Sequence, residues 1–210
     1  MTTIAIFGAS GKTGRGVLDR ALDAGHAVRA LVRDPSRLPV TSDRLTVVQG
    51  DVLDPGAVDR VVEGSDAVLS LFGQVKGSPR TLQTDGARNI VDAMTRHGVT
   101  RLVTLSGGGL PAAEDRPKLP DRAIRGLMKV MAGHLLADAE GHVDVLRSSG
   151  LDWTVVRGPR LSEEPGKGRY RVGWVGVDAS TTISRDDLAD FILTQATDRT
   201  FVGRMPFVSD

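Results

Sequence analysis

The sequence predicts an α/β fold: a doubly wound, mostly parallel sheet in a single domain. Three observations lead there. Short, near-continuous apolar runs alternate with stretches whose apolar residues recur at helical spacing, as parallel strands and their crossover helices do. Three glycines, Gly8, Gly11 and Gly14, fall between the first apolar run and the first helical stretch. At 210 residues the chain is long enough for one well-packed core and short for two. Residues 1–210 are therefore read as one domain whose C-terminal part completes a ligand pocket.

The elements follow in order. Ile4 to Phe7 has the hydrophobic continuity of a strand covered on both faces. Val17, Leu18, Ala21, Leu22 and Ala24 then repeat at helical spacing, and Gly25 stands where a left-handed C-cap is expected. Residues 27–32 give a second strand and "LTVVQGDV" a third. "DPGAVDRVVEG" reads as a short helix with Pro55 in its first turn, and "DAVLSLFG" as a fourth strand. A helix from Thr81 to His97 buries Ile90, Val91 and Met94, and "TRLVTLSGGG" is a fifth strand ending on three glycines. "LPAAEDRPKLPD" reads as a Pro-rich charged loop, either a lid or a surface connection. Helical patterning covers Arg122 to Met131 and again Leu135 to Ser148; "LDWTVVR" is a late strand and "YRVGWVGV" an added strand or hairpin. "SRDDLADFILTQAT" is a helix with Ser184 as its cap and Asp186 and Asp187 at its positive end.

Composition excludes several function classes. The net charge is +1 and basic residues are interleaved with apolar ones, so neither a nucleic-acid nor an anionic-membrane partner is expected. The absence of cysteine removes disulfides and thiolate chemistry. No signal-peptide pattern and no spanning run is seen, and the expectation is a cytoplasmic protein, monomeric or weakly dimeric. His134 and His142 lack acidic partners at metal-ligand spacing, so no metal is expected.

Gly8-Ala9-Ser10-Gly11-Lys12-Thr13-Gly14 is a G-x-x-G-x-x-G turn between strand and helix. Such glycines permit a tight turn, close approach of a pyrophosphate to the backbone, and close helix–strand packing, while the first N–H groups of the helix face the phosphates. The expected ligand is a dinucleotide on a Rossmann-like fold. At the end of the second strand an NAD site places an acid for the ribose 2′-hydroxyl and an NADP site places cations for the 2′-phosphate. Here Arg33 and Arg37 stand in "LVRDPSRL", and Lys12 approaches from the glycine turn. NADPH is favoured over NADH, with Asp34 as the opposing charge. In "GDVLD", Asp51 can accept from the adenine amino group; the same stretch also reads as a turn in which Asp54 caps the next helix. Leu71-Phe72-Gly73 and Ser106 lie at the carboxyl ends of strands, where open parallel sheets bind ligands.

"GASGKTG", "LVRDPSRLP", "GDVLD", "DGARNIVDAMTRHGV", "SSGLDWTVVRGP" and "ISRDDLADFIL", in this order, resemble the atypical short-chain dehydrogenase/reductase group related to NmrA. Within it the likeness is greatest to the biliverdin IXβ reductase (flavin reductase) family. The resemblance implies a Rossmann fold that uses NADPH to reduce flavins, quinones or similar conjugated small-molecule acceptors. It implies that Gly8 to Gly14 hold the pyrophosphate, Arg33 the 2′-phosphate, Asp51 and Val52 the adenine, and Leu71 to Gly73 the middle of the cofactor. Ser106, Gly158, Pro159 and Arg160 would border nicotinamide and acceptor.

The sequence also departs from these relatives. The Tyr-x-x-x-Lys pair of typical short-chain dehydrogenases is missing: the one tyrosine is Tyr170, and Trp174 stands four residues on. A serine and two histidines of the biliverdin and flavin reductases fall on Gly107, Ala139 and Arg160. Ser106, next to Gly107, and Arg160 are the candidate catalytic residues, Ser106 as a helper hydroxyl and Arg160 for an anionic acceptor. For each a structural role, backbone satisfaction or a surface ion pair, weighs about as much. No G-x-S-x-G elbow surrounds Ser106, which argues against a hydrolase nucleophile. Two functions remain: an NADPH-dependent reductase, or a non-catalytic dinucleotide-binding redox sensor of the NmrA kind.

Overall fold

The computed structural model describes residues 1–210, the side chain of Met128 excepted. Its main sheet runs β3(Leu45–Gln49)-β2(Ala27–Val32)-β1(Thr3–Phe7)-β4(Ala67–Ser70)-β5(Arg101–Gly107)-β6(Asp152–Gly158)-β10(Phe207–Ser209)-β8(Arg171–Gly173). Every pairing is parallel except β10 with β8. The chain leaves β3 at one edge and re-enters beside β1 as β4, so the winding reverses between β1 and β4, where ligands bind in such sheets. A small parallel pair, β7(Arg160–Ser162) with β9(Thr182–Ser184), stands beside the main sheet.

The double winding is written into the pleat of β1. Ile4 and Ile6 pack with Val17 and Leu18 of α1(Lys12–Asp23) and Leu188 and Ile192 of α5(Arg185–Thr194). Ala5 and Phe7, pointing the other way, join Val58 and Val61 of α2(Pro55–Val62), Ile90 and Met94 of α3(Leu82–His97), and Val143 and Leu146 of α4(Leu119–Arg147). Because both faces are covered, β1 carries no polar alternation. The caps agree with the sequence: Asp54 accepts from the Gly56 N–H at 2.9 Å, the Ser184 hydroxyl accepts from the Asp187 N–H at 3.0 Å, and Gly25 follows α1 at φ +82°.

Other expectations are revised. β3 and β4 stop at Gln49 and Ser70, so Gly50–Leu53 and Leu71–Gly73 emerge as loops over the sheet's carboxyl edge. The charged loop gives way to helix at Leu119, where Pro120 sits in the first turn and Asp121 accepts from the Lys118 N–H at 2.8 Å. The two helical stretches expected after it are present: they meet at Ala132, whose backbone is not helical (φ −140°, ψ 34°), beside Gly133, with no loop between them, and the first starts at Leu119 rather than Arg122. "YRVGWVGV" supplies only β8 and a turn, and β7, β9 and β10 carried too little periodicity to be anticipated.

Candidate functional site

The carboxyl edge of the sheet opens into a cleft of two lobes divided by Leu71, Phe72 and Gly73, which line both. The smaller lobe, about 210 Å³, lies over the switch point and is lined by Gly8, Ser10, Gly11, Arg33, Arg37, Asp51 and Val52, among others. The larger, about 370 Å³, is lined by Ser106, Gly107, Gly158 and Pro159 together with an apolar wall.

Glycine is required where the first lobe is built. A Cβ on Gly14 would stand 2.1 Å from the Gly8 carbonyl oxygen, so α1 starts against the end of β1 at a distance no larger residue permits. Gly8 has φ +89°, and a Cβ there would be 2.7 Å from the Phe72 backbone nitrogen. α1 has Gly11 as its cap and no side chain bonded to its first N–H groups. Those donors and the positive end of the helix therefore face the lobe unspent.

Arg33 and Arg37 both line this lobe. Asp34 does not: its carboxylate accepts from the backbone N–H and the hydroxyl of Ser36, at 3.1 and 2.7 Å. Those two bonds hold its carboxyl below the ordinary aspartate value. Asp51 spends one oxygen on the Leu53 N–H at 2.9 Å, and Val52 offers its carbonyl to Asn89 at 2.9 Å. Asp54, not Asp51, caps α2, as one of the two sequence readings of this stretch has it.

The other turn residues do not line a lobe. Ala9 is buried in the core. Lys12 is exposed and pairs with Glu163 at 2.8 Å; Glu163 also holds Arg185, whose guanidinium donates to the Thr13 hydroxyl at 3.1 Å. This network ties the start of α1 to α5, and Lys12 does not converge with Arg33 and Arg37.

In the larger lobe Leu71, Phe72, Leu105, Leu110, Leu135, Leu136 and Leu161 supply the apolar wall. Its polar side chains are Gln74, Gln83 and Ser106; among the described residues no acid, base or tyrosine lines it. Arg160 is exposed on β7 and outside the lining, whereas its neighbour Leu161 is in it. Gly107 and Ala139, where the biliverdin and flavin reductases carry serine and histidine, both line the lobe. Tyr170 lies elsewhere, edge-on to Phe191 and donating to Asp190 at 2.9 Å. Burial, and then the Asp190 carboxylate, push its phenol up, the reverse of what a proton-transferring tyrosine needs.

Two carboxylates brace this lobe from outside its lining, Asp138 buried and Asp115 nearly so, and sequence reasoning missed both. Asp138 of α4 accepts from Gln74 (2.6 Å), from the Gln83 and Thr84 N–H groups (both 2.9 Å) and from the Thr84 hydroxyl (2.8 Å). Burial alone would raise its carboxyl, but these bonds outweigh burial and hold it below the ordinary value. Gln74 also donates to the Arg80 carbonyl at 2.7 Å, so both of its amide protons are spent and its oxygen is the group it can offer a ligand. Asp115, in the loop over the lobe, meets fully buried Arg157 of β6 through two bonds of 2.8 Å. Arg157 also donates to the carbonyls of Leu110 (2.7 Å) and Met205 (2.8 Å) and lies over the Phe207 ring. The sequence signals were a charge inside the apolar strand "DWTVVRG" and an acid on the packed face of a helix. Neither names its partner.

Comparison with known proteins agrees with this geometry. Residues 8–199 match the NAD(P)H-binding family, and the chain belongs to it. An uncharacterized Mycobacterium tuberculosis protein is 35% identical over 112 residues, 53% of this chain; the match spans only 13% of that protein's length. The (4-alkanoyl-5-oxo-2,5-dihydrofuran-3-yl)methyl phosphate reductase of Streptomyces griseus is 34% identical over 154 residues, 73% of this chain and 46% of that one. A short-chain dehydrogenase/reductase from Veillonella parvula, solved in complex with NADP, has the same fold: TM-score 0.83, 21% identity, 100% of this chain and 94% of that one covered. The specific relationship to biliverdin reductases expected from the sequence is not among these findings.

Proposed function

As a reading of this NAD(P)H-binding chain, we propose an NADPH-dependent reductase of uncharged, planar, conjugated small molecules such as flavins or quinones. The observation that carries it is the pairing of one lobe, which brings Arg33 and Arg37 together with Gly8 and Gly11, with an adjoining lobe that is apolar and without charge. The residues present fit such a cofactor. The Gly8–Gly14 contact leaves room only for backbone, and the free N–H groups at the start of α1 suit a pyrophosphate. Arg33 and Arg37 supply guanidinium groups for a 2′-phosphate, while the acid that would oppose it, Asp34, is engaged with Ser36. The remaining oxygen of Asp51 can accept from an adenine amino group. When bound, the cofactor supplies hydride from its nicotinamide.

The protein's own contribution is orientation and exclusion of water. Leu71 to Gly73 hold the passage between the lobes, and the leucine wall presses a flat acceptor into it. Ser106 and the Gln74 oxygen, fixed by Asp138, offer a donor and an acceptor for its polar edge. With no titratable side chain in the lining, the proton that accompanies hydride comes from water. The Streptomyces griseus relative is named as a reductase of an oxo-dihydrofuran, which fits small-acceptor reduction. The nicotinamide end of the cofactor would take only part of the larger lobe, and the remaining space suits an acceptor that a sensor holding only the dinucleotide would not need. Fluorescence titration tests the cofactor assignment. Arg33→Ala and Arg37→Ala should each weaken NADPH roughly tenfold, the worth of a charge-assisted bond, and leave NADH nearly unchanged. Equal weakening of both cofactors would refute it.

A further inference from the structure

The N-terminal half of α4, from Leu119 to the bend at Ala132, uses one face for nothing inside the protein. At helical spacing Leu119, Ala123, Ile124, Leu127, Val130 and Met131 occupy about half of the circumference, and Asp121, Arg122, Arg125 and Lys129 the other half. A surface helix ordinarily turns its apolar half inward. Here Leu119 is 80%, Val130 86% and Met131 75% exposed, and Ile124 and Leu127 are exposed as well. The basic residues Arg122, Arg125 and Lys129 are exposed as well, and Arg125 makes a surface ion pair with Glu140, beyond the bend, at 3.8 Å, so this half-helix stands off the body of the protein. An apolar face of this extent directed to solvent marks a docking surface.

Charge identifies the occupant. Between residues 116 and 131 stand Arg116, Lys118, Arg122, Arg125 and Lys129 against the single acid Asp121. A net charge of +1 for the whole chain conceals this segment, because the acids that balance it lie elsewhere. A second copy of the same face would bring like charges together around the apolar stripe. An anionic surface would complement them. We propose that the Leu119–Met131 half of α4 is an interfacial helix that docks the protein on an anionic phospholipid surface, with its leucine, isoleucine, valine and methionine side chains in the acyl boundary and its basic residues among the headgroups. No helix among the described residues is long and apolar enough to cross a membrane, so the attachment is peripheral. It departs from the expectation, drawn from net charge, that the protein has no membrane partner.

The test is co-sedimentation of the purified protein with vesicles of pure phosphatidylglycerol and, separately, of pure phosphatidylcholine, beside light scattering without lipid. The protein should sediment with phosphatidylglycerol, be released by high salt, and sediment little with phosphatidylcholine. A Leu127→Gln, Val130→Gln, Met131→Gln variant should lose binding, and Arg122→Glu with Lys129→Glu should weaken it by roughly tenfold or more. None of these side chains lines either lobe, so NADPH titration checks that each variant is folded. No sedimentation with phosphatidylglycerol, or equal sedimentation with both lipids, would overturn the proposal. A dimer that the triple glutamine variant dissociates would overturn it in favour of a second copy of the chain.

Discussion

Removing the Arg157 guanidinium, as in Arg157→Met, should destabilise the protein and loosen the larger lobe while sparing the smaller. The side chain is fully buried and makes bonds of 2.7–2.8 Å to the Asp115 carboxylate and to the carbonyls of Leu110 and Met205. Its loss leaves the nearly buried Asp115 carboxylate with two backbone N–H donors but no counter-charge, and takes a donor from each of two carbonyls. Breaking one partner of a buried pair costs about 3–5 kcal/mol. At roughly 2–4 °C per kcal/mol for a domain of this size, the melting temperature should fall by about 10 °C. Asp115 also accepts from the Val175 N–H at 3.0 Å, so the loop that carries Gly109 and Leu110 into the larger lobe is held chiefly by this carboxylate. Acceptor KM should therefore rise while NADPH affinity stays within about twofold, since neither residue reaches the smaller lobe. Thermal unfolding with steady-state kinetics reads both effects. In Asp115→Ala combined with Arg157→Met no unpaired charge remains, and the double variant should be at least about 1 kcal/mol more stable than the sum of the single losses. Single losses under about 1 kcal/mol, or strict additivity, would refute this view of the pair.

Two further substitutions probe other parts of the structure. In Gly14→Ala the new Cβ meets the Gly8 carbonyl oxygen at 2.1 Å, so α1 must move; NADPH affinity should fall more than about tenfold and stability by about 1–3 kcal/mol, by fluorescence titration and denaturant unfolding. His142 is buried beside Asp138, and burial pushes its imidazole down to about 4, with the carboxylate opposing. An unfolded histidine takes its proton near pH 6.5, so the unfolded state binds the extra proton between about 6.5 and 4. Stability should be full above that window and fall by about 3 kcal/mol across it. Asp115 and Asp138, whose carboxyls lie below their ordinary values, add their losses only at still lower pH. His142→Gln should flatten the window in urea unfolding; an unchanged slope would refute the assignment.

What could be read from the sequence was local. The β1–turn–α1 unit, the caps at Asp54 and Ser184, and the arginines after β2 each depend on neighbours a few residues away, and the structure brings Arg33 and Arg37 to one lobe with Gly8 and Gly11. What could not be read depends on distant partners. Arg157 and Asp115 are 42 residues apart, and Lys12 meets a glutamate 151 residues on. Pro159 interrupts the chain between β6 and β7, so strand alternation cannot say which of Arg160 and Leu161 faces the cleft. Leu161 does, which moves the emphasis from anionic to uncharged acceptors. The break at Ala132–Gly133 is legible between the two helical stretches, but only in three dimensions does the first of them stand out with its apolar residues exposed.

The central claim, hydride delivery from NADPH to an uncharged conjugated acceptor, is tested most directly by following loss of the reduced-nicotinamide absorbance. Riboflavin, FMN and a short-chain quinone would be offered in turn, with NADH as the cofactor control. The lobe's uncharged lining predicts turnover with NADPH, slower turnover with NADH, and riboflavin or quinone reduced at least as efficiently as anionic FMN. Tight NADPH binding without oxidation by any of them would contradict the claim and support a dinucleotide-binding sensor instead.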